Sequence, residues 1–321
     1  MQNQLQNLQR KQNEPQMQLQ NQTQLQNHTQ LQNQTQLQNH TQLQNELQMQ
    51  NLLQMQNLHS HTVYCDGSLT PEEMVQAAIA KGCDSFGFSG HSYMAFDPKP
   101  SMDPDETLSY MADVKRQRDK YADQVEIFCG IEQDYHSEGP PVGFDYIIGG
   151  VHYLVKDGAY ISVDTGAKHQ QASVDEHYGG DYYAFAEHYY GTIADIAKTR
   201  ADIVGHFDIV TKFNSDDSRF DTTHPRYVNA AIDAMTEVLR SCRIFEVNTG
   251  AMYRRLKKEQ YPSAFLLREL HSRGGEVMLS SDSHDAGSIC WMFAEMRELL
   301  KSIGYRYIKR LTKEGFVDVP L

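Results

Sequence analysis

The body of this sequence predicts an α/β barrel, and three observations point there. From residue 57 onward, strand-like and helix-like patterns alternate seven times. Nearly every strand-like segment closes on a His, Asp or Glu, and these polar ends are spread over all the strands. A parallel barrel builds its active face from strand C-termini, where these residues fall. A doubly wound open sheet, the rival for the same alternation, usually gathers its ligands at one switch point.

Residues 1 to about 56 stand apart. They are built from Gln, Asn, Leu, Thr and Met, with only Arg10, Lys11, Glu14 and Glu46 charged, and they repeat a six-residue unit from Leu25 through Leu31, Leu37 and Leu43. Leucines six apart advance about 600° around a helix, so they spiral and form no stripe. A Gln/Asn-rich segment this poor in bulky apolar residues does not offset its own ordering entropy, and the expectation is a disordered, low-complexity tail over 1–56. The barrel then spans 57–321, a single-domain length.

The barrel elements follow in order. His59 and His61 sit two apart in an extended stretch, which puts both imidazoles on one face. Thr70-Pro71-Glu72-Glu73 is a cap, a first-turn proline and acidic residues, so a helix runs to Gly82. A strand over 84–92 closes on His91, and a helix over 102–121 follows Asp103-Pro104. Strands over 124–135 and 144–153 end at Glu132 and His152. The rhythm breaks over 156–180, a polar, Gly-containing insertion too long for an ordinary loop and expected to be functional or mobile. It resumes with a helix over 182–198, a strand over 201–208 ending at His206, and a helix over 225–240. Then come a strand over 243–249, a helix over 262–273, a strand over 276–284 carrying Asp282 and His284, and a helix over 287–302. A hairpin turning at Lys313-Glu314-Gly315 ends the chain.

The formal charge is −13, with no Lys/Arg-rich run. Nucleic-acid binders usually present a basic face, so no nucleic-acid partner is expected. The five cysteines are scattered without a C-x-x-C pair, which suits reduced thiols. With no 18-residue apolar run and no signal-peptide pattern, the expectation is a soluble, cytoplasmic protein without a membrane partner. The oligomeric state is not readable.

The strand ends collect His59, His61, Asp66, His91, Glu132, His152, His206, Asp282 and His284. Any one of them has an ordinary explanation: His152 as a hydrogen-bonded core histidine, Asp282 as a helix cap. Nine N/O donors exceed what one or two tetrahedral ions require, and a three-metal cluster fits the count. Imidazole and carboxylate without cysteine suit Zn, Mn or Fe.

In order, His59-Ser60-His61, Asp66-Gly67, Ser89-Gly90-His91-Ser92, Gly130-Ile131-Glu132, Gly149-Gly150-Val151-His152, Gly205-His206-Phe207-Asp208 and Ser281-Asp282-Ser283-His284 resemble the PHP (polymerase and histidinol phosphatase) family. Asp66, the 162–190 segment, and Glu246-Val247-Asn248-Thr249 followed by Arg254 and Tyr261-Pro262-Ser263 are similar to its histidinol-phosphatase branch. The resemblance implies a distorted (β/α)7 TIM-like barrel with a trinuclear metal centre. By analogy, His59, His61, Glu132 and Asp282 would hold one ion, Glu132 would bridge to a second held by His152 and His206, and Asp66, His91 and His284 would take the third. Three divalent ions against three carboxylates leave about +3 locally, enough to draw in a phosphate dianion.

The implied reaction is hydrolysis of L-histidinol phosphate, a small-molecule phosphate monoester, to L-histidinol and phosphate in histidine biosynthesis, by a metal-bridging hydroxide attacking in line. Another PHP-type phosphoesterase activity, on diesters or nucleotides, is the alternative. Arg254 is the candidate phosphate-binding fork, with Arg255 adjacent to it in the same run, and Lys212 is a point-charge helper. Asp282 or a metal-bound water is the candidate proton donor. The 156–180 insertion is expected to reach over the mouth and contact the substrate's amine or imidazole.

Overall fold

The computed structural model describes residues 55–138 and 142–321. The expectations of disorder and of a six-residue repeat fall on residues 1–54, outside the described residues. Gln56, on the tail side of the expected boundary, is part of the fold and begins strand β1 (Gln56–Asn57).

The other strands of the main sheet are β2 (Ser85–Phe88), β3 (Glu126–Asp134), β4 (Tyr146–Gly150), β7 (Ile203–Val204), β8 (Ile244–Asn248) and β9 (Glu276–Ser280). They pair in parallel in the order β1-β2-β3-β4-β7-β8-β9. The two ends of this order meet through a parallel bridge between Ser60 and Ser283. There the His61 N–H donates to the Ser283 carbonyl at 2.8 Å and the Ser283 N–H to the His59 carbonyl at 3.0 Å. A seven-stranded barrel therefore closes beside the histidines of the first strand and the acid of the last.

Five of the helices start where the sequence supplies a side-chain cap. α1 (Pro71–Ala80) and α2 (Pro104–Lys120) open with complete capping boxes, Thr70 with Glu73 and Asp103 with Glu106, each with a proline in the first turn. α3 (Ala167–Tyr178) is followed by α4 (Tyr182–Ala194), which Asp181 caps through the N–H groups of Tyr183 and Ala184. His224 caps α5 (Pro225–Val238), and Ser263 caps α7 (Ala264–Ser272) after the short α6 (Gly250–Tyr253). α8 (Phe293–Ile303) ends on Gly304, whose φ of 119° a side-chain-bearing residue would resist. It begins six residues later than the sequence pattern predicts, because 287–292 are turns with Cys290 and Met292 in left-handed conformations.

The barrel floor is packed with Leu58, Phe128, Tyr146, Ile148, Ile203, Ile244, Met278 and Leu311. Tyr146 crosses it, donating its hydroxyl toward the carbonyls of Leu58 and Phe88. A Cβ at position 130 would lie 2.3 Å from the Tyr146 ring, so glycine there leaves room for the ring. The terminal hairpin, β10 (Tyr307–Thr312) with β11 (Gly315–Pro320), covers this end. Gln56 ties it to the barrel, its side chain donating to the Leu311 carbonyl at 2.9 Å and accepting from the Leu311 N–H at 2.8 Å.

The 156–180 stretch is built differently from its sequence expectation. Its start joins an antiparallel hairpin, β5 (Tyr153–Lys156) with β6 (Ala159–Ser162), and α3 follows. The polar composition hid four apolar anchors, Ile161, Val163, Val174 and Tyr178, which pack into the largest core cluster. Burial of that order, roughly 1.5–3 kcal/mol for a large side chain, holds the insertion in place.

Candidate metal centre

All nine sequence-predicted ligand residues meet at the C-terminal mouth of the barrel. His59 and His61 lie in the extended segment after β1 and are fully buried. Glu132 comes from β3, which is long enough to carry it past the sheet rim, where it pairs with His91 across an isolated bridge. His152 and His206 follow β4 and β7 by two residues each, and Asp282 and His284 follow β9.

Glu132 is the hub. Its Oε1 stands 2.8 Å from His206 Nε2 and 3.3 Å from His152 Nε2. Its Oε2 stands 3.0 Å from His91 Nδ1, 3.2 Å from His59 Nε2 and 3.4 Å from His61 Nε2. Asp282 Oδ1 lies 3.2 Å from His61 Nε2 and 3.5 Å from His59 Nε2. Asp66 reaches His284 Nε2 at 3.2 Å and His61 Nδ1 at 3.4 Å.

Four groups of ligand atoms lie close enough to share an ion: His61, Asp66, His91 and His284; His59, Glu132 and His206; His59, His61 and Asp282; and His91, Glu132 and His152. These groups overlap more than the analogy implied: His61 also faces the Asp66 group, and His91 also faces Glu132. The buried atoms His59 Nε2, His61 Nε2 and Glu132 Oε2 have no hydrogen-bond partner among the described residues. Buried polar atoms are normally satisfied, so orphaned donors and acceptors aimed at one another fit a cation between them.

Two carboxylates absent from the sequence-level set hold the histidines from behind. Glu246 Oε2 is 2.8 Å from His59 Nδ1, and it also accepts from Ser280 Oγ at 2.6 Å. Its other oxygen accepts the His206 N–H at 2.6 Å and Asn248 Nδ2 at 2.8 Å. Asp134 Oδ2 accepts the His152 N–H at 2.6 Å and faces its Nδ1 at 3.2 Å. Carboxylates behind ligating imidazoles fix ring orientation and raise basicity. Strand alternation carried the signal: Asp134 sits two residues after Glu132 on β3, and Glu246 two before Asn248 on β8, so each pair shares a face. They also correct the local charge count, since the site holds more than three carboxylates.

Charge neighbours overcome burial at most of these groups. Burial opposes protonation of His59, but Glu246, Glu132 and Asp282 hold its imidazole well above the usual range. Burial likewise works against protonated His91 and His152, and Glu132 leads in raising both, His152 to about 10. Burial would raise the Glu132 and Asp282 carboxyls, yet His59 and its neighbours, and for Asp282 first Arg254, keep both well below the carboxylate range. His61 goes the other way, pushed down to about 4 by burial and by His284 and His91.

A cavity of about 550 Å³ opens over the cluster, its walls including Asp164, Lys212 and Arg254. Arg254 donates to Asp282 Oδ2 at 2.8 Å and to the Asp282 carbonyl at 3.1 Å, whereas Arg255 is exposed and does not line the cavity. Lys212, the expected point-charge helper, lines the cavity with its ammonium donating to Asp164 Oδ2 at 2.7 Å. Asp282 Oδ2 is engaged by Arg254, while its Oδ1 faces His59 and His61.

A parallel barrel with overlapping groups of N/O ligands at its C-terminal mouth defines a class of metal-dependent hydrolases. Residues 57–250 match the PHP domain, and the chain belongs to the PHP family. A protein of Deinococcus radiodurans named "Probable histidinol-phosphatase" is 27% identical over 261 residues, covering 78% of this chain and 94% of that protein. A Schizosaccharomyces pombe protein of the same name is 26% identical, covering 70% and 79%. Among solved structures, hisK of Listeria monocytogenes superposes with a TM-score of 0.67 at 20% identity, covering 75% of this chain and 99% of that one. The Lactococcus lactis histidinol phosphate phosphatase, crystallised with zinc, L-histidinol and phosphate, gives 0.60 at 18% identity, covering 82% and 99%. These two likenesses establish the distorted TIM-like barrel.

Proposed function

We propose that the protein is a cytoplasmic, metal-dependent phosphomonoesterase that hydrolyses L-histidinol phosphate to L-histidinol and phosphate. The observation that carries this reading is the convergence of nine imidazole and carboxylate side chains at the barrel mouth, five of the imidazoles within 3.4 Å of the two oxygens of Glu132, under a cavity with Arg254 on its wall. The names of the two relatives, and the zinc, histidinol and phosphate of the Lactococcus protein, support the same substrate.

His59, His61, Glu132 and Asp282, then His152 and His206 with Glu132, then Asp66, His91 and His284 would hold three divalent ions, Zn, Mn or Fe. Bound there, such ions supply positive charge to phosphoryl oxygens and bring the pKa of water toward neutrality. Glu246 and Asp134 keep His59 and His152 turned toward the cluster. Arg254, held in place by Asp282, presents its remaining N–H groups to an equatorial phosphate oxygen, where a planar fork matches the developing charge. Asp164, paired to Lys212, and Thr165 come from the segment after β6 and line the cavity, placed to meet the substrate's amine or imidazole.

Metal analysis of the purified protein, coupled to phosphate release from a panel of monoesters, diesters and nucleotides, tests the reading. The expected result is three divalent ions per chain and preferential release from L-histidinol phosphate. Equal turnover of diesters, or a metal-loaded protein inert toward L-histidinol phosphate, overturns it.

A further inference from the structure

A second cavity, of about 510 Å³, lies beside the first and shares no lining residue with it. The turn after β7 runs between the two. Ile209 and Lys212 face the metal-centre cavity, while Asp208 and Thr211 face the second one.

The floor of this second cleft holds two buried charges whose bonding is incomplete. Lys257 is only 7% exposed, and its ammonium donates to Thr211 Oγ1 at 2.6 Å. Its carboxylate neighbour, Asp208 Oδ2, is 3.9 Å away, beyond hydrogen-bond reach, and the Tyr261 ring lies behind at 4.7 Å. Asp208 is fully buried, with Oδ2 accepting the Ser263 N–H at 3.1 Å and Oδ1 without a partner among the described residues. A buried charge left short of partners is costly, and the set is completed when a ligand brings the missing donor and acceptor.

The rim adds opposite charges in the same arrangement, with Lys258 beside Glu259 and Asp217. Tyr227, Val228 and Phe265 supply an apolar wall. A cationic floor group, an acidic floor group and an apolar side wall within a few hundred cubic ångströms suit a small molecule carrying both charges and an apolar body. A simple anion would face the three lining carboxylates, and a simple amine would leave the buried Lys257 unanswered.

We propose that this cleft is a second ligand site, separate from the metal centre, for a zwitterion of α-amino-acid size with an apolar or aromatic side chain. The ligand carboxylate meets Lys257, and its ammonium meets Asp208 and Glu259. This goes beyond the phosphatase reading and does not depend on it, because binding is read without turnover.

The test is calorimetric titration of the full-length, metal-loaded protein with the twenty α-amino acids. Each amino acid that binds is repeated as the matching amine without a carboxylate and the matching acid without an amine. At least one apolar or aromatic amino acid is expected to bind with a dissociation constant of about 1 mM or tighter, and both one-charge analogues to lose tenfold or more. Val228→Trp fills the cleft and abolishes binding. Glu259→Gln, at an exposed position, weakens it several-fold and serves where Val228→Trp fails to fold. Saturating inorganic phosphate at the metal centre leaves binding unchanged. The proposal is overturned when no amino acid binds up to about 10 mM, when the one-charge analogues bind equally well, when phosphate displaces the ligand, or when binding survives both substitutions.

Discussion

Glu246 is fully buried behind the cluster, and its carboxylate gathers four hydrogen bonds, from His59, His206, Asn248 and Ser280. Glu246→Gln should therefore lower divalent-metal affinity by about 10- to 100-fold, read by competition with a chelator. Unaltered affinity would remove its orienting role. Arg254→Lys keeps the charge and loses the fork, so kcat/KM should fall on the order of 100-fold, about 2.7 kcal/mol, with metal content intact. The exposed Arg255→Lys is the matched control and should change neither quantity. His152 adds a pH dependence. Its folded value of about 10 lies above the ordinary 6.5, so in metal-free protein it carries a proton at pH 7. That raised value stabilises the metal-free fold fully below pH 6.5, and the contribution fades as pH rises through about 10. A ligating imidazole must be neutral, so metal uptake at pH 7 should release protons and affinity should climb with pH. Titration in weak buffer measures the release, and uptake without it would contradict the protonated state.

Among the elements, the hairpin β5–β6 with α3 departs most from its sequence. A polar, glycine-containing stretch reads as a loop by composition, and only packing shows Ile161, Val163, Val174 and Tyr178 inside the core. Deleting the stretch would strip that core, so its link to substrate is better probed at one residue. Asp164 is half-buried against Lys212, which outweighs desolvation and holds its carboxyl at about 2. Asp164→Asn removes the charge in place, and KM for L-histidinol phosphate should rise several-fold while metal content stays constant. An unchanged KM would disconnect this segment from substrate binding. The helices were more legible, because Thr70-Pro71-Glu72-Glu73 and Asp103-Pro104-Asp105-Glu106 encode their caps locally and the capping boxes form as written.

For the whole molecule, barrel closure decides where the working body begins. Gln56 and Asn57 pair with Ser85 and Phe86, and Gln56 also ties down the terminal hairpin. A chain starting at Met55 should keep kcat, KM and melting temperature, whereas one starting at Leu58 should melt several degrees lower because it loses those pairings. A 55–321 protein without activity would assign residues 1–54 a part in the enzyme. Among the described residues no helix is long and apolar enough to cross a membrane.

The barrel strands, the caps at Thr70 and Asp103 and the identities of the nine cluster residues were readable from the chain, because each rests on a local pattern: alternation, a capping box, a polar residue at a strand end. The tertiary structure alone decided that five histidines gather on Glu132, that Lys212 is already paired, that Arg254 engages Asp282, and that Glu246 and Asp134 stand behind the histidines. Those facts depend on distances between side chains far apart in the chain, here from His59 to Asp282, and a local pattern carries no such distance.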